Sequence, residues 1–283
     1  MANLLEVKNI SKSFGDKAVL KDISFNVPAG SIVGFIGDNG AGKSTTFKSV
    51  LGLTSTDNGS VKILGKEDPS KHSRMKEEIG VVFDAMNLPS QLTIKQLGNV
   101  LKKMYDSWDT DNFNRLVEAF SLPLDKKVIT FSRGMSMKLS VAIALSHDAK
   151  LLLLDEATGG LDPSSRSELL SELERFVREK NGGILLSSHI MSDVEKIASH
   201  LVFIKQGEII LNDEIEEVFE KYGLADVTAH QLSLIDEEWI VAKKDQDSHY
   251  RVLVSDKEKL PTVVKSKRIS MEELTIFLTR SEK

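Results

Sequence analysis

The chain has no cysteine among its 283 residues, so neither disulfides nor thiolate metal sites can form. No stretch approaches the roughly 18 uninterrupted apolar residues of a membrane-spanning helix. The first residues, Met1 to Lys8, lack the basic segment and long apolar run of a secretory leader. A cytoplasmic location is the expectation, and any role at a membrane needs another subunit. Basic residues do not dominate either: the formal net charge is -5, which gives no case for a nucleic-acid partner. Internal repeats and low-complexity tracts are lacking. What remains is a chain that is 41% hydrophobic, enough to bury a core.

The most informative run is Gly37-Asp38-Asn39-Gly40-Ala41-Gly42-Lys43-Ser44-Thr45. It follows an apolar strand pattern (Ile32, Val33, Gly34, Phe35, Ile36) and opens a helical one (Thr46 to Leu51). That context separates a phosphate-binding loop from a glycine-rich turn that binds nothing. Glycines let the backbone approach a ligand so that successive N–H groups point at phosphate oxygens. The helix N-terminus adds unpaired donors and its dipole. Lys43 is expected on the β- and γ-phosphates and the Ser44 hydroxyl on Mg²⁺.

A second apolar run, Leu151 to Leu154, ends in Asp155-Glu156. Four consecutive apolar residues suit a strand covered on both faces. Asp155 then stands at the carboxyl end of a strand, where open α/β sheets bind ligands, and is expected to hold Mg²⁺ directly or at one remove. Glu156 is placed to act as general base toward an attacking water.

Between these elements lies Phe131-Ser132-Arg133-Gly134-Met135, ahead of a helical stretch; after them come Gly159-Gly160-Leu161-Asp162-Pro163 and Ile184 to His189. With these motifs in this order, residues 1 to about 220 resemble the ATP-binding-cassette (ABC) ATPases. The resemblance implies an α/β P-loop NTPase core with an antiparallel β subdomain and an inserted helical subdomain at about 88–148. It implies ATP as substrate with Mg²⁺. Phe14 would stack on adenine, with Asn39, Gly40, Ala41, Gly42, Lys43, Ser44 and Thr45 around the phosphates. His189 would bond the γ-phosphate and the water. Ser132 and Gly134 would contact the nucleotide held by a facing subunit, and Asp162 would touch that subunit's phosphate loop. Two copies, or a pair with a second ABC ATPase, would then enclose two ATP molecules head to tail. Taken alone, Asp162-Pro163 is also a good helix cap followed by proline at the first helical position, and the two roles can coexist. His72, His147, His200, His230 and His249 read as satisfied surface groups.

Three residues depart from the family pattern, Met135 among them in place of a usual glutamine. Asp84 stands where a glutamine is usual and is expected to meet Mg²⁺ or its water only once the metal is bound. Arg133 replaces a glycine and is expected either to approach the facing nucleotide or to project into solvent.

Elsewhere, Leu4 to Val7, Val19-Leu20, Ile23 to Val27 and Val61 to Leu64 read as strands. Helical spacing recurs over Ile94 to Met104 and over Phe113 to Phe120 after a Thr110 cap. Ser192 with Glu195 reads as a capping box. Leu201 to Ile204 and Ile209 to Leu211 read as a hairpin around Gln206-Gly207. Residues 221–283 read as a small structural α+β extension, with dimerisation and regulatory roles left open. Short strands are expected at Trp239 to Val241, Val252 to Val254 and Thr262 to Val264, with a last helix capped by Ser270 and Glu273.

The segments Ser107-Trp108-Asp109 and Leu122 to Lys127 resemble the bacterial exporter ATPases of the ABC-2 type, a group that includes ATPases for antimicrobial-peptide, drug and phenol-soluble-modulin-like toxin efflux. The implied role is the ATP-hydrolysing subunit that drives a separate transmembrane permease from the inner face of the membrane. The alternatives are a soluble ABC ATPase of DNA repair or translation, and a nucleotide-binding regulator without turnover. The first lacks its long insertions or cysteine zinc sites and its fused second cassette. The second is disfavoured by the intact set Lys43, Asp155, Glu156 and His189.

Overall fold

Strands β1 (Asn3–Phe14) and β2 (Lys17–Pro28) pair as a long antiparallel hairpin. The polar pair Lys21-Asp22 interrupts the apolar pattern and predicts two strands here. The structure keeps β2 whole, because register shifts around Ile10 and Lys12 and a positive φ at Asp22 absorb the irregularity within the ladder. Leu5, Val7, Ile10, Ile23, Phe25 and Val27 turn to the core and are essentially inaccessible. After β3 (Ile32–Ile36) and α1 (Lys43–Val50), β4 (Asn58–Ile63) and the short β5 (Lys66–Glu67) complete a four-stranded sheet in the order β2-β1-β4-β5. The computed structural model describes residues 2–67, 73–83, 88–246 and 249–280.

Strand β6 (Ile79–Val82) leads to a helical layer of α2 (Ile94–Met104), α3 (Thr110–Ala119) and α4 (Arg133–Leu145). A reciprocal box starts α2: Thr93 Oγ1 accepts from Gln96 N–H at 3.2 Å while Thr93 N–H donates to Gln96 Oε1 at 3.0 Å. Asp109, not Thr110, caps α3, accepting from Asn112 N–H at 2.8 Å. Then follow β7 (Leu151–Asp155), α5 (Pro163–Lys180), β8 (Gly183–Ser187), α6 (Met191–Ile197), β9 (His200–Lys205), β10 (Glu208–Glu214) and α7 (Ile215–Lys221). Ser192 sits inside the first turn of α6, whose N-cap is Ile190, so the expected Ser192–Glu195 box does not form. Arg115 on α3 grips Glu172 on α5 with two bonds of 2.7 Å, fixing the helical layer to the core.

The central sheet runs β10-β9-β3-β8-β7-β6, parallel throughout except for the β9–β10 hairpin. Strands β3, β7 and β8 are buried throughout, and the period of two sorts the residues of the sheet. Val33, Phe35, Leu153, Leu185 and Val202 face the antiparallel sheet and α1. Ile32, Ile36, Leu152, Leu154, Leu186 and Phe203 face the helical layer. On the first side Phe35 lies 5.2 Å from Phe25 and 6.2 Å from Phe47 between ring centroids, so a cluster of tilted and edge-on rings joins β2, β3 and α1.

The remaining chain forms a second antiparallel sheet. Strand β11 (Gly223–Val227), which the sequence reading passed over, pairs with β13 (His249–Val254) after the short α8 (Ala229–Leu232) and β12 (Ile240–Gln246). The order is β12-β13-β11-β14, where β14 is Ser266–Lys267. Thr262 to Val264 is a turn, not a strand: Val264 N–H closes back on Pro261 C=O at 2.8 Å. The last helix, α9 (Met271–Arg280), starts at the expected box, with Glu273 N–H on Ser270 Oγ and Ser270 N–H on Glu273 Oε2, both 3.2 Å. Leu224, Ala242, Leu253, Met271, Leu274, Phe277 and Leu278 join the same apolar cluster as Leu152 and Val194, so this sheet and helix share the central core.

Candidate functional site

Gly37 leaves β3 where a Cβ would strike Ile204 C=O at 2.2 Å, so only glycine lets the loop turn beside β9. The loop then folds back, with Ala41 N–H on Asp38 C=O at 3.1 Å. At its end Gly42 takes φ 118° as the N-cap of α1, and a side chain there would meet Leu20. Gly207 N–H, in the β9–β10 turn, donates to Ala41 C=O at 3.0 Å, tying the loop to that hairpin.

Lys43 opens α1 yet stays inside the loop: its Nζ donates to Gly37 C=O at 2.6 Å and Asp38 C=O at 3.1 Å. The side chain is buried, and burial lowers its proton affinity against the opposing pull of Glu156, Asp155 and Asp38. Ser44 is exposed at the mouth and Thr45 half-buried, while Ala41 is buried beneath the loop.

Asp155 ends β7 and is 5% exposed, accepting a 2.6 Å bond from Ser187 Oγ on the neighbouring strand β8. Glu156 follows with φ 58°, a sparsely populated conformation for a non-glycine residue. Such backbone costs about 1–3 kcal/mol and persists where its surroundings hold it. Here Glu156 N–H donates to Ser187 Oγ at 3.0 Å, and Gly159 N–H closes on Glu156 C=O at 3.0 Å. The carboxylate meets His189 twice: His189 Nε2 lies 3.0 Å from Oε1 and His189 N–H donates to Oε2 at 3.3 Å. Burial pushes the Glu156 carboxyl above its ordinary value, opposed by His189 and Lys43.

These groups converge on one open cleft of about 790 Å³. Phe14, 54% exposed at the tip of the β1–β2 hairpin, lines it together with Asn39, Gly40, Gly42, Lys43, Ser44 and Thr45 of the loop. Asp155, Glu156 and His189 line it as well. Lys17, Lys21 and Gln206 also line it, and no motif in the sequence pointed to them. Nor did any point to Ser187, which holds both carboxylate residues; only its place at the end of the adjacent buried strand could have signalled it.

Ser132, Gly134 and Asp162 lie outside this cleft. Ser132 caps α4 by accepting from Met135 N–H at 3.2 Å. Gly134 packs against Gly160 and Leu161, where a Cβ would come 3.2 Å from Leu161 Cδ2. Asp162 caps α5, accepting from Ser164 and Ser165 N–H at 3.1 Å each. Arg133 is exposed, and the stem of its side chain passes beside Gly159 and Gly160 of its own chain. Behind this loop Arg166 Nη2 donates to Leu161 C=O at 3.1 Å, while its Nε lies 3.7 Å from the buried Asp193 Oδ2. Asp84 and His72 lie outside the described residues. His147 is not a surface group: it is 2% exposed, stacked 4.6 Å from Tyr105, with Nδ1–H donating to Glu77 C=O at 2.7 Å.

The donor set suits a hard cation. The Ser44 hydroxyl and Asp155 carboxylate supply oxygen only, and the described residues gather no group of three or more acidic or His side chains for a metal. Mg²⁺ is commonly held by one or two protein oxygens together with phosphate and water, which is what this cleft can offer.

The fold and cleft together define a nucleotide-binding cassette. Residues 20–159 match the family model for ABC transporters. The lantibiotic transport ATP-binding protein SrtF of Streptococcus pyogenes is 35% identical over 223 residues, covering 76% of this chain and 96% of SrtF. The bacitracin transport ATP-binding protein BcrA of Enterococcus faecalis is 30% identical over 223 residues, covering 78% of this chain and 72% of BcrA. A solved ATP-binding subunit of an ABC transporter superposes with a TM-score of 0.69 at 28% identity, over 76% of this chain and 91% of that one. The chain belongs to the ABC transporter ATP-binding proteins and is an ATP-hydrolysing transporter subunit. Among the described residues no helix is long and apolar enough to cross a membrane.

Proposed function

We propose that this chain drives export of a peptide or drug through a separate transmembrane permease, seated on the inner face of the membrane, and that two copies, or one copy with a second ABC ATPase, close around two ATP molecules. The observation that carries the nucleotide part is the convergence of Phe14, Lys43, Ser44, Asp155, Glu156 and His189 on one cleft. The export part is supported by similarity to SrtF and BcrA, whose names record lantibiotic and bacitracin transport.

In this reading Phe14 stacks on the base. The loop amides and Lys43 bind the triphosphate, Lys43 exchanging its carbonyl partners Gly37 and Asp38 for phosphate oxygens. Ser44 and Asp155 hold Mg²⁺, which when bound neutralises charge building on the phosphate oxygens. Glu156 takes the proton of the attacking water, and His189, already against Glu156, fixes that carboxylate and reaches the γ-phosphate. Ser132, Gly134 and Asp162 serve the nucleotide of the facing subunit, which accords with their place outside their own chain's cleft. Residues 1–220 form the ATPase unit and 221–283 an accessory unit packed onto it.

The test is co-purification from detergent extracts with a polytopic membrane protein, together with ATP hydrolysis. A chain that hydrolyses ATP but never associates with such a protein, and whose neighbouring reading frame encodes no permease, would overturn the export reading. A chain with no affinity for ATP and Mg²⁺ would overturn the site.

A further inference from the structure

The C-terminal helix α9 reaches the phosphate loop. Thr279 Oγ1 donates to Asp38 Oδ1 at 3.1 Å, across 241 residues of chain. Three further observations show that the helix end is held in place. Leu274 and Leu278 are fully buried. Lys205, at the end of β9, donates from Nζ to Leu278 C=O at 2.7 Å, satisfying a carbonyl that a helix C-terminus leaves open. Thr275 Oγ1 contacts Met191 Sδ at 3.1 Å, on the helix that begins two residues after His189. Thr275 also bonds back to Met271 C=O at 2.9 Å, the usual habit of a helical threonine, whereas Thr279 sends its hydroxyl away from the helix to the loop.

Asp38 is a pivotal residue of that loop. Its carbonyl accepts both from Ala41 N–H and from Lys43 Nζ. Its side chain is an anion in a pocket read as accepting a triphosphate, so its placement matters to binding. A hydrogen bond to the carboxylate limits its rotamers, and preorganisation of this kind lowers the cost of binding.

We propose that Thr279 is a positioning residue for nucleotide binding: through Asp38 it holds the phosphate loop in its receptive form and makes α9 part of the ATP site. The proposal rests on the reading that the Lys43 loop binds the triphosphate. Thr279 touches no substrate, so its loss weakens binding and leaves the chemical step alone.

The experiment measures ATP affinity by titration calorimetry and steady-state hydrolysis on the full chain, for Thr279→Val, Thr279→Ser, Asp38→Ala and the Asp38→Ala/Thr279→Val pair, with Lys43→Ala as control. Thr279→Val keeps the shape and removes the donor. It should weaken ATP binding about fivefold, the scale of one ordinary hydrogen bond at an exposed site, with kcat unchanged and only a small fall in nucleotide-free melting. Thr279→Ser should bind as the unaltered chain does. In the Asp38→Ala background Thr279→Val should have no further effect. Equal affinity of the Val variant and the unaltered chain would overturn the proposal. So would a Ser variant as weak as Val, or additive losses in the pair. If the unaltered chain fails to bind ATP, or Lys43→Ala binds as well as it does, the site reading fails, and the proposal with it. ATP binding that needs Lys43 but ignores Thr279 defeats the proposal alone.

Discussion

Glu156 and His189 hold each other at two points, a ring nitrogen 3.0 Å from one carboxylate oxygen and a backbone N–H 3.3 Å from the other. The carboxylate is thus oriented before substrate arrives. Glu156→Gln keeps the shape and removes the proposed base. Hydrolysis should fall by about 10²–10⁴-fold, while ATP affinity persists and a closed dimer accumulates with ATP and Mg²⁺. Phosphate release and size-exclusion chromatography check both. Undiminished turnover would remove Glu156 from the base role.

The same carboxyl is pushed upward by burial, so it protonates at higher pH than an exposed glutamate. In the proposed mechanism the ionised form works as the base, so kcat/KM should be lost as pH falls through this raised value, and the acid limb should lie above the ordinary carboxylate range. A pH–rate profile measures it. An acid limb at the value of a free glutamate would show that desolvation does not govern this group.

His147 gives a stability prediction. Burial holds its imidazole below the ordinary histidine value, so the folded state keeps it neutral where the unfolded chain takes up a proton. The group's contribution is therefore complete above the unfolded pKa and lost as pH falls through it toward the lower folded value. Urea denaturation of the unaltered chain and of His147→Gln should show their difference shrinking on acidification. A constant gap would contradict the assignment.

Arg166 joins the loop before Asp162 to the helix after His189, through Leu161 C=O and Asp193. Arg166→Met leaves the 4% exposed Asp193 carboxylate with Lys196 as the remaining cation acting on it. The cost should be about 1–3 kcal/mol of stability, read from urea midpoints, and Asp193→Asn in that background should recover part of it. No change in midpoint would show the 3.7 Å pair to be incidental.

Much of this molecule is legible in its sequence because its signals are local. The apolar run Leu151 to Leu154 forms a strand buried on both faces, and Asp162-Pro163 starts a helix through its own side chain. The Ser270–Glu273 box forms for the same reason. What escaped depends on distant partners. Strand β11 is only Gly-Leu-Ala-Asp-Val and is a strand because β13 and β14 flank it. Thr262 to Val264 has strand-like residues but follows Pro261, whose carbonyl closes a turn. Ser192 has the chemistry of a cap, yet α6 takes Ile190, two residues earlier, as its N-cap. In the site, phosphate-loop and strand-end residues announce themselves, whereas Ser187, Lys17 and Lys21 are brought there by neighbouring strands alone.

The apolar cluster that runs unbroken from Leu152 through Val194 to Leu253 and Leu274 has an evolutionary consequence. Grafting the last sixty or so residues onto another cassette would set side chains shaped for one body against the contours of a different one. Tail and body are in this sense an inherited pair: either can drift only as fast as the other accommodates it.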